Sequence, residues 1–235
     1  RFEFSGEVFL WTPPVLKGPE LVRIQEALND ASDLFEGLAC GNLGALAVFQ
    51  RSFPEKAFCA DYSMNLFNSG ALELQKDLGA ETGVLSPELR LNEVQSLGSS
   101  ALAPEAIVYG RIPLMTMEYC PSSAELRCSG QCAACAGRKG YLKDRMGEVF
   151  PFRRDPAFRR TQIFNAMPIL MDDLSVLRKT GLRFLRLVFT DEDADACRRI
   201  TRYFYNRLTG DREDPEDKRF IQEMKDRGFT KGHWF

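Results

Sequence analysis

The sequence of 235 residues contains a single histidine, His233. This scarcity excludes zinc and non-haem iron sites built from several imidazoles, and it leaves room for at most one Ser-His or Cys-His nucleophile. The sequence has no run of about 18 apolar residues, so it predicts no transmembrane helix and no membrane partner. It also has no G-x-G-x-x-G motif after a predicted strand, which disfavours a dinucleotide-binding fold.

The chain also has little net charge, since its formal net charge is -2 at pH 7. The chain therefore does not coat nucleic acid through bulk positive charge. Its seven cysteines are too few and too uneven for a secreted disulfide scaffold, and no signal-peptide pattern opens the chain. We predict a cytoplasmic protein. Because the first residue is Arg1 and not Met, we expect the sequence to be the later part of a longer polypeptide.

Short apolar runs alternate with helical patterns along most of the chain. This rhythm is typical of βα units around a buried parallel sheet, and six units are fewer than the eight of a complete barrel. The sequence predicts a single α/β domain over residues 1–235, an incomplete (β/α) TIM-like barrel without its first strands; a doubly wound sheet is the alternative. The predicted strands are residues 8–11, 37–40, 57–60, 83–85, 106–109 and 182–189, with helices at about 19–31 and 194–208 and a charged tail, 210–228, containing a short helix.

The stretch from Met117 to Arg160 breaks this rhythm and has no clean periodicity. We predict an irregular, cysteine-rich and basic metal-binding loop here, inserted between the two last predicted strands. Long excursions from the carboxyl end of a barrel strand are where such folds place their chemistry.

Four cysteines lie within sixteen residues of this stretch in a C-x7-C-x3-C-x2-C pattern: Cys120, Cys128, Cys132 and Cys135. Clustered thiolates in a cytosolic chain predict a metal site, although unligated thiols are the simpler alternative. Structural zinc sites favour two C-x2-C pairs, and only one is present, so the spacing favours a [4Fe–4S] cluster over Zn²⁺. The remaining cysteines are predicted to be small buried residues: Cys40, Cys59 and Cys197.

Basic residues also concentrate here, with eight arginines and lysines against three acidic residues between Arg138 and Arg160. Four aromatic residues are interleaved with them: Tyr141, Phe150, Phe152 and Phe158. Such a mixture suits a surface that holds phosphates and stacks bases, which makes RNA a candidate substrate. A solvated loop, or arginines that steady an anionic thiolate cluster, is the alternative.

Eight short motifs follow one another along the chain: Gly41-Asn42-Leu43-Gly44, Asn65-Leu66-Phe67-Asn68-Ser69, Leu85-Ser86-Pro87-Glu88-Leu89, Tyr109-Gly110-Arg111-Ile112-Pro113-Leu114-Met115, Tyr119-Cys120-Pro121, Leu142-Lys143-Asp144-Arg145-x-Gly147, Ile163-Phe164-Asn165 and Phe229-Thr230-Lys231-Gly232-His233. They stand in the order found in peptidase family U32, which the chain resembles from Val8 to its last residue.

The resemblance implies a (β/α)-barrel, of which this chain is the C-terminal part. Members were named as collagenase-like proteases, and other relatives resemble oxygen-independent hydroxylases with a four-cysteine [4Fe–4S] cluster. Some of these act on a pyrimidine of transfer or ribosomal RNA, with the small carboxylate prephenate as proposed oxygen donor, and others act on ubiquinone precursors.

The resemblance also implies which residues form the site. Cys120 matches the family's first cluster cysteine, and Cys128 and Cys132 match its C-x3-C pair. The family's fourth cysteine usually lies where this chain has Arg159-Arg160-Thr161. We favour Cys135 as the replacement ligand, and the alternatives are a three-cysteine cluster with an open iron or no cluster.

From the cysteine loop and the resemblance together we predict two further sets of site residues. The first would be catalytic: Arg111, Asp61, Glu88 and His233, with Arg111 as a clamp for a carboxylated donor. The second would bind substrate: Asn42, Asn65, Arg153, Arg154 and Arg160. Structural roles are the alternative for some, because Asn65 and Asn68 could cap the following helix and Glu88 could lie in a helix's first turn.

The function predicted from these residues is a [4Fe–4S]-dependent hydroxylase of an RNA pyrimidine. The alternatives are a U32 collagenase-like peptidase, a ubiquinone-type hydroxylase and a zinc-stapled non-catalytic module. Proteolysis has little support in the sequence, because nothing places a serine or cysteine beside His233. The carboxylate pair Asp172-Asp173 is typical of a solvated helix start.

Overall fold

The computed structural model describes residues 6–100, 102–123, 135 and 139–234. The chain divides into two compact units. The first unit comprises Arg1–Ala106, Leu177–Leu185 and His233–Phe235, and the second comprises Ile107–Val176 and Arg186–Gly232.

Strands and helices alternate through the first unit, as the sequence predicts. Their order is β1 (Phe9–Trp11), α1 (Gly18–Asp30), β2 (Gly37–Cys40), α2 (Leu43–Ser52), β3 (Ala57–Ala60), α3 (Ser69–Asp77), β4 (Thr82–Val84), α4 (Leu91–Leu97) and the start of β5 (Ala103–Gly110). The five strands pair in parallel in chain order: β1 with β2, β2 with β3, β3 with β4, and β4 with β5.

Burial explains why the sequence predicted these strands well. All four residues of β2 are buried, as are three of the four in β3. A strand covered on both faces needs an unbroken apolar run, which stands out in the sequence. The mixed α/β class with a parallel sheet is therefore confirmed, and the ends of β2 and β3 agree with the prediction.

The second unit contains the end of β5 and a separate antiparallel sheet. Its elements are β6 (Pro113–Met117), β7 (Gly140–Lys143), β8 (Val149–Asp155), β9 (Arg160–Phe164), β10 (Ile169–Leu170), α5 (Leu174–Leu177), β11 (Phe184–Val188), α6 (Ala194–Thr209) and α7 (Pro215–Arg227), although α5 and β11 each begin or end in the first unit. The antiparallel sheet has the order β6-β9-β8-β7, while β10 pairs antiparallel with the end of β5 and β11 also pairs with β5.

The prediction of an irregular stretch from Met117 to Arg160 is wrong for residues 140–143 and 149–155, which form β7 and β8. β7 and β8 form a hairpin, and β8 pairs with β9. These strands show no alternation of apolar and polar residues that would predict them from the sequence. A charged residue, Arg160, is buried in β9, whereas the apolar Val149 is exposed in β8. The cysteine-rich insertion itself falls largely on residues 124–134 and 136–138, outside the described residues.

Two predictions about polar segments in the second unit are also wrong in part. The charged tail carries a helix of 13 residues, α7, and not a short one. Asp172 is not simply solvated, because its carboxylate accepts hydrogen bonds from Tyr203 and Lys225, each at 2.7 Å. Its neighbour Asp173 does precede a helix, since its side chain accepts from the backbone N–H groups of Ser175 and Val176 in the first turn of α5.

The helices of the described ranges include none that is both long and apolar enough to cross a membrane.

Candidate functional site

Asn42 follows β2 directly and caps the helix after it. Its side-chain oxygen accepts from the backbone N–H groups of Gly44 at 2.9 Å and Ala45 at 3.2 Å, and its Nδ2 donates to the carbonyl of Pro14 at 3.2 Å. Both ends of the amide are therefore used within the fold, satisfying two N–H groups that a helix start leaves without partners. The structure gives Asn42 a structural role, and its predicted substrate role stays a prediction.

Asp61 follows β3 and is buried, with 1% of its surface exposed. Its Oδ2 accepts a 2.9 Å hydrogen bond from the indole N–H of Trp11, and its backbone N–H donates to the carbonyl of Cys40. Trp11 itself is 46% exposed at the end of β1. A buried carboxylate thus fixes the orientation of an exposed indole ring. Sequence reasoning did not single out Trp11, although an aromatic residue ending a parallel strand was a visible signal.

Cys40 and Cys59 lie beside this group and are both buried, as predicted. The Cys40 thiol donates to the carbonyl of Asn42 at 3.2 Å, and the Cys59 thiol lies 3.6 Å from a carboxylate oxygen of Glu105. Burial raises the pKa of the Cys40 thiol above its ordinary value. A thiol held protonated in this way is a poor nucleophile and a poor metal ligand, so Cys40 acts as a small core residue.

Asn65 and Glu88 are exposed near the ends of β3 and β4. Asn65 adopts a left-handed backbone with φ 54° after a short 3-10 helix. The helix after it is capped by Asn68, whose side chain accepts from the N–H of Ala71 at 2.9 Å, as the alternative for Asn68 predicted. The alternative for Glu88 is wrong, because this residue lies in a turn ahead of α4 and not in the first turn of a helix.

His233 is exposed beside the buried Trp234. Within the described part of the chain, its imidazole takes part in no hydrogen bond or ion pair. Its predicted catalytic role stays a prediction.

Arg111, in the second unit, follows β5 and has a side chain that is 20% exposed. Its Nη1 donates to the backbone carbonyls of Asn165, at 3.0 Å, and Ala166, and its Nε lies 3.5 Å from the Asp191 carboxylate. The guanidinium therefore holds the turn after β9 and pairs with a carboxylate. A donor carboxylate binding there would compete with Asp191 for the same charge.

The buried Tyr109 and the half-buried Glu192 form a polar pair near Arg111. The Tyr109 hydroxyl donates to Glu192 Oε1 at 2.7 Å, and Glu192 Oε2 accepts from the backbone N–H groups of Thr190 and Asp191. Burial, together with Glu192, raises the pKa of Tyr109 far above its ordinary value, so the phenol stays protonated. Sequence reasoning missed this pair, because its members are 83 residues apart.

Cys120 lies in a segment that two arginines of the antiparallel sheet hold in place. Arg154 donates to the Ser122 hydroxyl at 2.6 Å, and Arg160 pairs with Glu118 at 3.7 Å. The Arg160 side chain is only 4% exposed, whereas that of Glu118 is 62% exposed. Two positive charges thus contact the residues on either side of Cys120.

The other predicted metal ligands are less fully placed. Cys128 and Cys132 lie outside the described residues, and Cys135 is half-buried. Across residues 6–100, 102–123, 135 and 139–234, no three His, Cys, Asp or Glu side chains form a metal-binding group. The four-cysteine site therefore stays a prediction.

The structure separates the three arginines that were predicted to bind substrate. Arg154 and Arg160 contact the segment around Cys120. Arg153 is exposed on the opposite face of β8 from Arg154, because successive side chains of a strand alternate between faces.

Together these features define an α/β protein with a parallel sheet in one unit and, in the other, an antiparallel sheet whose Arg154 and Arg160 contact Ser122 and Glu118, two residues to either side of Cys120. The family model of peptidase family U32 matches residues 7–235, and the chain therefore belongs to peptidase family U32. Comparison with curated proteins and with solved structures finds no match.

Proposed function

We propose that this U32-family protein is a [4Fe–4S]-dependent, oxygen-independent hydroxylase that acts on a pyrimidine of transfer or ribosomal RNA. The oxygen donor would be a small carboxylate such as prephenate. The family supports this class, and one structural observation carries the proposal: the positive charge of Arg154 and Arg160 beside Cys120.

An iron–sulfur cluster bound by thiolates is anionic, so positive charge nearby would stabilise it. Burying the guanidinium of Arg160 costs free energy unless an anion compensates it. The carboxylate of Glu118 lies 3.7 Å from this guanidinium, which also donates to the carbonyl of Phe158. A thiolate at Cys120 would add negative charge next to the same arginines, so the residues present fit an anionic cluster.

The proposed ligands are Cys120, Cys128, Cys132 and Cys135. When bound, the cluster would supply iron for activation of the oxygen donor, and its potential would depend on nearby charge and hydrogen bonds. Arg154 and Arg160 would contribute that charge and would fix the segment around Cys120.

We also propose that the parallel sheet forms an incomplete TIM-like barrel. The order β1-β2-β3-β4-β5 supports this, since each strand pairs in parallel with its successor in the chain. The side chains after these strands would then lie at the carboxyl end of the barrel, where such folds place their active sites.

The metal is tested first, on protein purified without oxygen. Four irons and four sulfides per chain are expected, with near-complete loss in Cys120→Ala and Cys135→Ala. Cys197→Ala is the matched control, because Cys197 lies on α6 outside the cluster, and it should retain full iron. Colourless protein with one zinc would support the zinc-stapled module instead, and protein without either metal would refute the hydroxylase.

The substrate is tested by mass spectrometry of nucleosides from RNA of a deletion strain. We expect loss of one hydroxylated pyrimidine and its return when the wild-type chain is expressed, but not Cys120→Ala. An unchanged modification profile would refute RNA hydroxylation, and a quinone defect in the same strain would favour the ubiquinone-type reaction.

A further inference from the structure

One face of the antiparallel sheet carries an exposed aromatic side chain among positive charges. Tyr141 on β7 lies opposite Pro151 on β8, and Arg153 lies two residues beyond Pro151, so Tyr141 and Arg153 share a face. Lys143 is on that face as well, two residues after Tyr141. Gln162, opposite Arg153, extends the same face to β9.

Three of these side chains are exposed, and Gln162 is half-buried. Tyr141 is 51% exposed, and both Lys143 and Arg153 are exposed. Among the residues that the structure describes, no carboxylate forms an ion pair with either cation. By contrast, Arg154 on the other face is half-buried and donates to Ser122.

The spacing of these groups suits a strand of nucleic acid. Lys143 pairs with Val149, which lies four residues from Arg153 along β8, so the backbone positions of the two cations are about 13 Å apart along the strands at a rise of about 3.3 Å per residue. Tyr141 lies between them in register, opposite Pro151. An aromatic ring flanked by cations on an open sheet is a common way to stack a base while holding the neighbouring phosphates.

We propose that this face, defined by Tyr141, Lys143, Arg153 and Gln162, binds single-stranded RNA. Tyr141 stacks on a base, Lys143 and Arg153 contact the phosphates on either side, and Gln162 hydrogen-bonds a base edge or sugar. The inference rests on the proposed function, which it extends by assigning a substrate-binding surface. The proposal also gives the three arginines different roles. Arg153 binds RNA, whereas Arg154 and Arg160 support the segment around Cys120.

The test measures binding of a fluorescent single-stranded RNA to the full chain by anisotropy at several salt concentrations. Lys143→Gln/Arg153→Gln should weaken binding at least tenfold and lower the slope of log affinity against log salt by about 1.4, since each phosphate contact contributes about 0.7 for single strands. Tyr141→Ala should weaken binding about tenfold with an unchanged salt slope, because stacking releases no counterions. Tyr141→Phe should keep most of the affinity.

Arg198→Gln/Arg227→Gln is the matched control, because these arginines are 67% and 76% exposed and lie on α6 and α7. It removes the same charge and should change the affinity less than twofold. All substituted side chains are exposed, and circular dichroism verifies that each variant folds.

Two results would overturn the inference in different ways. If the wild-type chain binds RNA and the sheet variants bind as well as the control, the surface is wrong while RNA remains a substrate. If the wild-type chain binds no RNA, both the surface and the proposed substrate class fail.

Discussion

Replacement of Asn42 separates its structural role from its predicted substrate role. Asn42→Ala removes the cap of α2, which costs about 1 kcal/mol, and the hydrogen bond to Pro14, which costs about 1 kcal/mol more. We therefore expect the free energy of unfolding to fall by about 2 kcal/mol. Asn42→Asp keeps the capping oxygen and places a charge at the positive end of α2, so its net change should stay within about 1 kcal/mol.

The assay is urea denaturation followed by tryptophan fluorescence, with linear extrapolation to water. Asn68→Ala is the matched control, because Asn68 caps α3 through one bond and is exposed, and it should cost about 1 kcal/mol. A loss below about 0.5 kcal/mol in Asn42→Ala would refute the argument, since that is less than one good cap. If Asn42→Asp is stable but inactive in RNA modification, Asn42 also contacts substrate.

Two further predictions concern α6 and α7. Asp217 is 1% exposed and accepts two hydrogen bonds from Arg202, which is 42% exposed. Removing the arginine leaves a charged carboxylate buried, whereas removing the carboxylate charge leaves an arginine that reaches solvent. Arg202→Met should therefore destabilise the protein more than Asp217→Asn does, as measured in thermal melts followed by circular dichroism. Burial alone would raise the pKa of Asp172, but hydrogen bonds from Lys225 and Tyr203 outweigh it and hold that pKa below its ordinary value. The ionised Asp172 carboxylate therefore stabilises the fold above about pH 4, and this stabilisation is lost as the pH falls through its folded-state pKa. Asp172→Asn should therefore reduce the fall of the urea midpoint with decreasing pH.

The controls follow from the same contacts. Equal losses in the two variants of the α6–α7 pair would contradict the argument from unequal burial. Lys225→Met should also weaken the acid dependence, because Lys225 helps lower the Asp172 pKa. A wild-type midpoint that does not change between pH 6 and pH 3 would contradict the pairing.

The parallel strands were predictable because both of their faces are covered. Cys40 and Leu38 of β2 have no exposed surface, so every position along the strand is apolar. The antiparallel strands were not predictable in this way, because the segments packed against them decide which of their side chains are buried. Arg160 is buried only because of the contacts that the fold brings to it, and no local pattern reveals them.

The candidate site was predictable in part for the same reason. Its position after the strands follows from the βα rhythm, and Asp61 does lie buried there. The partners of these residues are set by distant segments: Trp11 meets Asp61 across 50 residues, and Arg111 meets Asn165 across 54. The local sequence does not reveal such pairs. Residues whose side chains have structural partners were therefore predicted to be catalytic or substrate-binding residues.

The fluorescence of the two tryptophans of the chain comes from one of its two units. Trp11 and Trp234 both belong to the first unit, one 46% exposed and the other 7% exposed. Tryptophan emission therefore reports on the first unit, with one indole open to an aqueous quencher and the other shielded from it. Loss of the helical signal of α6 and α7 before any change in that emission would show that the second unit unfolds first. Recording both signals in one titration measures whether the units unfold together or one after the other.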